Sequence, residues 1–184
     1  MAYPVLLDTC VLFPMYLRDS LLRLAIAELY EPLWSQHILN ELSGVLVRER
    51  MASEPQARRI VALMQEHFPE SEVTDYEPLI PTMTCDEKDR HMLAAAVKSG
   101  AVVLASDNVA DFPSRSTEPY GIEVLTADQF LLGLLDAAPA TVVRTLTRQA
   151  ERYKREPQTL DALLAALSRS GAQTFADEVR RSKA

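Results

Sequence analysis

"YPVLLDTC", residues 3–10, is a short apolar run that ends in an acidic turn. A run of this length predicts a buried β-strand, with Asp8 at its carboxyl end. Two later runs, "AVVLAS" at 101–106 and "IEVLT" at 122–126, have the same character, and the segments between the runs have helical spacing. Strands that alternate with helices, without tight hairpin signals, predict an α/β domain with a mainly parallel central sheet.

Start and stop signals place the helices around these strands. Asp19 or Ser20 is the predicted N-cap of a helix over "SLLRLAIAELYE", and Gly100 should close a helix over "DEKDRHMLAAAVKSG". Weaker strands are predicted at "PLW" (32–34) and within "EVTDYEPLI" (72–80). The remaining predicted caps are Ser35, Pro55 in a first helical turn, and Thr126 with Gln129.

Length and composition indicate an ordinary globular protein with one main domain. The chain has 184 residues, of which 48% are hydrophobic, so a single core can form without disulfides. We expect an α/β domain over residues 1–135 and a small helical extension over 136–184. Cys10 and Cys85 match no metal or redox spacing. Free thiols, with no signal peptide and no apolar run long enough to span a bilayer, predict a cytoplasmic protein without a membrane contact.

Charge is divided unevenly along the chain. The net charge is −7, yet residues 141–184 carry nine Lys/Arg against five Asp/Glu. Basic residues recur there every three to four positions, which makes one helical face positive. The face either binds phosphates or is an ordinary solvated helix surface. Its members are Arg144, Arg148, Arg152, Lys154 and Arg155.

Polar side chains follow two of the predicted strands. Asp8 ends the first strand, and Asp107, Asn108 and Asp111 follow "AVVLAS". Because sites in open parallel sheets form outside the carboxyl ends of the strands, these groups could meet there. An aspartate at a strand end is equally often a turn or a helix cap, so Asp8 alone decides nothing.

Two predicted helices carry a carboxylate beside an apolar stripe. Asp89 falls within the stripe formed by Met92, Leu93 and Ala96, and Glu41 lies at the edge of another. A carboxylate that faces a core costs several kcal/mol unless it is protonated, paired or bound to a metal. For Glu41 taken alone, a salt bridge or a side chain that reaches solvent is favoured over a metal ligand. Four converging carboxylates would repel one another, and Mg²⁺ or Mn²⁺ would relieve that repulsion.

Other chemistries find little support. The chain has no P-loop, no nucleophile elbow and no glycine-rich dinucleotide fingerprint. Its histidines, His37, His67 and His91, lie on separate helical patterns without metal-ligand spacing. His91 falls off the apolar stripe of its helix, which predicts a surface position, with the rim of the site as the alternative.

Four stretches together resemble the PIN-domain family of metal-dependent nucleases, and within it the VapC-like ribonuclease toxins. They are "LLDTC" (6–10), "ILNEL" (38–42), "CDEKDRHMLAAAVKSGA" (85–101) and "VVLASDNVADFP" (102–113). The resemblance implies a three-layer α/β/α fold and catalytic carboxylates at Asp8, Glu41, Asp89 and Asp107. It implies metal ligands among Asp8, Asp89, Asp107, Asn108 and Asp111, and substrate contacts from Thr9, Arg90, His91 and Ser106.

Two positions depart from the family pattern. Cys10 stands where the family often has Asn, which we expect to remove a polar contact but no metal ligand. The usual Thr-x-Asp spacing, counted from Ser106, falls on Asn108. The fourth ligand therefore stays open among Asp107, Asn108 and Asp111.

The resemblance further implies hydrolysis of RNA by metal-activated water, a cognate antitoxin that blocks the site, and commonly a homodimer. The basic C-terminal face would then contact RNA phosphates or the acidic body of the same protein. One rival is a phosphatase with Asp8 as nucleophile, but such enzymes want a second Asp where Cys10 stands. The other is a PIN-like binding module that lacks a full metal set and binds RNA or a protein partner.

Overall fold

The central sheet is five-stranded and fully parallel. The computed structural model describes residues 2–182. Its strands are β1 (Pro4–Leu7), β2 (Glu31–Ser35), β3 (Glu72–Val73), β4 (Val103–Ala105) and β5 (Glu123–Leu125). They lie side by side in the order β3-β2-β1-β4-β5, with β1 in the middle. The order reverses direction between β1 and β4, and open α/β sheets form their binding crevice at such a point.

Helices connect and cover the strands. The helices are α1 (Thr9–Leu12), α2 (Met15–Ile26), α3 (Gln36–Arg48), α4 (Glu54–His67), α5 (Arg90–Ser99), α6 (Ser114–Thr117), α7 (Ala127–Ala137), α8 (Pro139–Arg152), α9 (Leu160–Arg169) and α10 (Gln173–Arg181). Short 3-10 turns occupy Glu77–Thr82, Glu87–Asp89, Val109–Asp111 and Glu118–Tyr120.

Both faces of the sheet are buried. Val5, Leu6 and Leu7 follow one another along β1, and each is fully shielded from solvent. Because successive side chains of a strand point to opposite faces, helices must cover both sides of the central strand. The α/β fold with a parallel sheet, expected from the sequence, is confirmed.

Most predicted helix ends are also confirmed. The Ser35 hydroxyl accepts from the Ile38 amide at the start of α3, and Thr126 with Gln129 forms the expected capping box of α7. Gly100 ends α5 in the left-handed conformation with φ of 67°. Residues other than glycine adopt this conformation at a cost, so the backbone favours glycine here.

Two predicted elements were wrong in extent. Helix α2 begins at Met15 rather than near Ser20, because Pro14 already supplies an extended N-cap residue. Asp19 and Ser20 lie inside the helix, where Asp19 accepts from Arg23 and Ser20 donates to Gln149 on α8. The strand expected within 72–80 is limited to the two residues of β3.

The C-terminal helices pack onto the sheet domain through buried polar contacts as well as apolar ones. Ser20 Oγ donates to Gln149 Oε1 at 2.9 Å, and both side chains are fully buried. At the start of α10, the Phe175 amide donates to Asp128 Oδ1 at 2.8 Å. Helix α7 runs across the predicted boundary at residue 135, and the division of the chain there stays a prediction.

Within residues 2–182, no single helix has both the length and the apolar character needed to cross a membrane. Helices α7 and α8 meet those criteria only as a joined pair, bent by 118°.

Candidate active site

Asp8 occupies the carboxyl end of the central strand, next to the end of β4. Its backbone amide donates to the Ala105 carbonyl at 3.0 Å, the last link between the two strands. The side chain then turns to cap α1, where Oδ1 accepts from the Cys10 amide at 3.5 Å. Only 4% of Asp8 is exposed, so the carboxylate sits in a crevice and not on an open surface.

Two side chains orient the other carboxylate oxygen of Asp8. Ser106 Oγ, fully buried, donates to Asp8 Oδ2 at 2.6 Å, and Cys10 Sγ donates to the same atom at 3.1 Å. Burial, helped by the charge of Asp8, raises the pKa of the Cys10 thiol to about 12, so the thiol keeps its proton and can donate. The expectation that Cys10 removes a polar contact was therefore wrong.

Asp89 is buried as expected, although for a different local reason. It ends the 3-10 turn before α5 and takes the N-cap position of that helix, so it does not belong to the helical stripe itself. Its residue exposure is 7%, and its Oδ2 atom is buried without a hydrogen-bond partner in the described part of the chain. Such an orphaned oxygen costs free energy that a cation would recover.

The pKa of Asp89 depends on two other acidic side chains. Burial raises the pKa of Asp89 to about 6; the ammonium of Lys88 opposes the rise, and the carboxylates of Asp111 and Asp8 add to it. Lys88 contacts both Asp89 and Asp111. The charge of Asp8 acts on Asp89 as well, so we call Asp8, Asp89 and Asp111 the acidic pocket. Asp8 directly follows β1, Asp89 directly precedes α5, and Asp111 lies in the loop after β4.

Lys88 lies between two members of this pocket. Its Nζ atom is 3.1 Å from Asp111 Oδ2 and 3.8 Å from Asp89 Oδ2, the second distance being too long for a hydrogen bond. The lysine side chain is 68% exposed, so it can leave without disturbing the core. Its ammonium marks a position where these carboxylates accept a positive charge.

Asp107 points elsewhere. Its Oδ1 accepts from the Ala127 amide at 3.0 Å, at the positive end of α7, where backbone amides lack helical partners. The other oxygen of this carboxylate lies near Gly171, at the turn between α9 and α10: a Cβ atom added to Gly171 would be 3.8 Å from Asp107 Oδ2. The Asn108 amide donates to Ser106 Oγ at 3.1 Å. Of the three candidates for the fourth ligand, only Asp111 is joined electrostatically to Asp89, and the choice among them stays a prediction.

Glu41 lies beside the pocket on α3. Its side chain is 43% exposed, and Thr9, which follows Asp8 in the chain, donates from Oγ1 to Glu41 Oε2 at 3.1 Å. The other carboxylate oxygen, Oε1, is 3.4 Å from His37 Nε2. Glu41 is therefore at the rim, where the sequence left open an exposed or a paired side chain.

The sequence misplaced His91. Only 7% of this residue is exposed, and its ring stacks on that of His37 with centroids 3.9 Å apart. Burial and the nearby His37 lower the pKa of His91 to about 4, with Asp8 opposing. The histidines lie on three separate helices, as expected, yet ligand atoms of His37, Glu41 and His91 all lie within 4.8 Å of one another. Spacing along the chain could not reveal this group, because α3 and α5 meet only in the fold.

The acidic pocket fits a hard divalent cation. It offers carboxylate oxygens, one of which is buried and has no partner in the part of the chain that the structure describes, and it already binds the Lys88 ammonium. Oxygen-only donor sets of this kind suit Mg²⁺ or Mn²⁺. Arg90, which follows Asp89 in the chain, is half-buried, and its Nε has no hydrogen-bond partner within the described residues.

Comparison with known proteins gives two family matches. Residues 4–110 match the model described as PIN domain, and residues 127–181 match the model described as VapC50 C-terminal domain. A curated protein of Mycobacterium tuberculosis, named "Putative ribonuclease VapC50", is 38% identical over 106 residues. That alignment covers 58% of this chain and 62% of the relative, less than two thirds of its length. No solved structure matches the chain.

Proposed function

This chain belongs to the PIN-domain family, and from that premise we propose that it is a metal-dependent endoribonuclease, the toxin of a toxin–antitoxin pair. The observation that carries the proposal is the acidic pocket of Asp8, Asp89 and Asp111, in which a buried oxygen of Asp89 has no hydrogen-bond partner among residues 2–182. The name of the similar mycobacterial protein supports RNA as the substrate.

Each side chain of the pocket receives a role in this proposal. Asp8, Asp89 and Asp111 would hold Mg²⁺ or Mn²⁺, with Glu41 at the rim as the fourth carboxylate. When bound, such an ion lowers the pKa of water and neutralises charge on a phosphodiester. Ser106 and Cys10 hold the Asp8 carboxylate in one orientation through their hydrogen bonds to Oδ2.

Cleavage of RNA by the purified chain tests the proposal. We expect Mg²⁺ or Mn²⁺ to support cleavage, EDTA to stop it, and Asp89→Asn to abolish it while the far-UV circular dichroism stays unchanged. Glu87→Gln is the matched control, because Glu87 lies two residues away and is exposed. Full activity of the Asp89→Asn protein would refute the metal-ligand assignment.

A binding module without a complete metal set is the alternative function. The use of the Asp107 carboxylate as a cap for α7 favours it, since this removes one acidic group from the strand end. A melting curve with and without Mn²⁺ distinguishes the two. A metal that binds the folded state at about 100 times its Kd stabilises by about 2.7 kcal/mol, whereas a module without metal ligands would show no shift.

The basic face of α8 is the proposed RNA-binding surface. Arg144, Arg148 and Arg152 are exposed, and none of them forms an ion pair with an acidic side chain in residues 2–182. This favours RNA phosphates over the acidic body as the partner. Reversing Arg148 and Arg152 to Glu should weaken RNA binding and flatten its salt dependence, because each lost phosphate contact removes about 0.7 from the slope on single strands. An unchanged slope would refute the surface, and Arg59→Glu on α4 is the control.

The remaining partners follow from the family alone. We propose a cognate antitoxin that covers the acidic pocket, a homodimer, and a cytoplasmic location. Co-expression with the protein encoded by the neighbouring reading frame tests the first: the complex should be inactive on RNA, and release of the partner should restore cleavage.

A further inference from the structure

A second cluster of ligand groups lies at the rim of the acidic pocket. His37 and Glu41 stand four residues apart on α3, so they share one face of that helix. His91 approaches them from α5, and its ring stacks on the His37 ring at 3.9 Å with an angle of 21° between the planes. The ligand atoms of the three residues all lie within 4.8 Å of one another.

The buried member of this cluster lacks a partner. His91 is more than nine-tenths buried, yet its Nδ1 has no hydrogen-bond partner within residues 2–182. Buried polar atoms are nearly always satisfied, so an orphan nitrogen on a ring that stacks on a second imidazole points to a ligand.

We propose that His37, Glu41 and His91 form a second metal site, which binds a borderline transition-metal ion such as Zn²⁺. Two imidazoles and one carboxylate are a characteristic donor set for Zn²⁺ with an open fourth position. Mg²⁺ takes oxygen ligands and keeps several waters, so it would not favour this set. The two sites therefore select different ions by the softness of their ligands.

The three donor atoms must move slightly closer together to bind one ion. Tetrahedral bonds of about 2.0–2.1 Å to zinc place donor atoms roughly 3.3 Å apart. His37 Nε2 is already 3.4 Å from Glu41 Oε1. His37 is 52% exposed on a helix surface, so its ring is free to rotate off the stack and direct a nitrogen at the same ion as His91.

Occupation of this site has a consequence for RNA cleavage, which rests on the proposed function. Glu41 contacts both regions, since Thr9, the neighbour of Asp8, donates to its Oε2 while Oε1 faces His37. An ion held by the histidines draws Glu41 away from the acidic pocket. Zn²⁺ therefore inhibits cleavage supported by Mg²⁺ or Mn²⁺.

Binding of Zn²⁺ to the full chain tests the site without reference to activity. Isothermal titration should give a Zn²⁺ affinity that falls at least ~10-fold in His37→Ala, since loss of even a residue that only supports a ligand costs that much. His67→Ala is the matched control, because His67 lies on α4 and contacts the Leu63 carbonyl of its own helix. Equal affinity in the His37→Ala and His67→Ala proteins overturns the site. His37 is exposed, so its replacement leaves the core intact.

A second variant, Asp8→Asn, separates this inference from the proposed function. Asp8→Asn should lose RNA cleavage and keep Zn²⁺ binding, whereas loss of both would place the two ions in one site and overturn the proposal. In the wild-type protein, Zn²⁺ should inhibit Mn²⁺-supported cleavage, and His37→Ala should be inhibited at least ~10-fold less sensitively. Zn²⁺ binding that requires His37 but leaves cleavage unchanged overturns the role of Glu41 while the site itself stands.

Discussion

The ends of β1 and β4 are neighbours in the sheet, and each is followed by an aspartate that the fold uses differently. Asp8 stays in the crevice, where Ser106 and Cys10 direct their donors at one of its oxygens. Asp107 turns outward to the first amide of α7. Acidic character at a strand end therefore does not by itself place a carboxylate in a site.

Each of the two aspartates takes its orientation from the hydrogen-bond donors nearest to its carboxylate. The helix that follows β1 is only four residues long, and Asp8 caps it with Oδ1 while Oδ2 remains directed at the crevice. After β4 the chain continues for about twenty residues before α7 presents its positive N-terminus beside Asp107. We infer that Asp111, three residues after Asn108, is the group that supplies acidity from this loop.

The largest effect that separates the two strand ends is expected on RNA cleavage. Asp8→Asn should lower the cleavage rate more than ~100-fold, since even residues that only orient a metal ligand cost 10–100-fold. Asp107→Asn should stay within about tenfold of wild type, because its amide oxygen can still accept from Ala127. Cleavage assays at saturating Mn²⁺ measure both. Inactivity of a folded Asp107→Asn protein would make Asp107 a ligand and reverse the comparison.

A smaller loss is expected when the hydroxyl that orients Asp8 is removed. Ser106→Ala deletes the 2.6 Å contact to Asp8 Oδ2 and leaves the Asn108 amide without its acceptor. We expect cleavage to fall ~10-fold or more, with weaker metal binding as the cause. Ser116→Ala removes a buried hydroxyl elsewhere and should leave cleavage unchanged. Equal effects of the two substitutions would mean that the loss is general destabilisation.

At the end of β4, the expected effect is on the stability of the fold. Asp107→Ala should lower the free energy of unfolding by about 1 kcal/mol, as loss of a helix-capping side chain typically does. Urea denaturation measures it, with Asp128→Ala as a second cap, since Asp128 accepts from the Phe175 amide at the start of α10. A stable Asp107→Ala protein would show that the contact with α7 contributes nothing.

The smallest expected effect concerns the ammonium of Lys88, which lies between Asp89 and Asp111. Lys88→Met removes the ammonium that competes with a metal for these two carboxylates. Because the lysine is exposed, we expect Mn²⁺ affinity to rise only a few-fold. Lys98→Met, on the last turn of α5, is the control for net charge. Weaker Mn²⁺ binding in the Lys88→Met protein would contradict a competing role.

These contrasts also explain which features of the fold and of the site could be predicted from the sequence. Asp8 and the caps Ser35 and Thr126 follow from local chain signals, so the parallel sheet and most helix starts could be predicted, whereas the order of the strands could not. Burial of Asp89 was predicted from the helical stripe, although the residue precedes α5. The prediction succeeded because the N-cap position directly precedes this stripe, and Asp89 is buried together with it.

The remaining features depend on contacts between elements. Whether Asp107 or Asp111 joins the pocket depends on where the N-terminus of α7 comes to lie, which no spacing within 101–113 encodes. The meeting of His37 with His91 depends likewise on how α3 and α5 pack. Cys10 was misjudged because only the fold shows its thiol directed at Asp8 and next to Ser106.

The most direct measurement is the position of Mn²⁺ in crystals of the full chain, located by its anomalous scattering. We expect a peak roughly 2.1 Å from carboxylate oxygens of Asp8 and Asp89, the bonding distance of hard six-coordinate cations, with Asp111 as a neighbour and Asp107 still on α7. A peak remote from Asp8 and Asp89, or no peak at saturating Mn²⁺, would contradict the metal centre on which the proposed function rests.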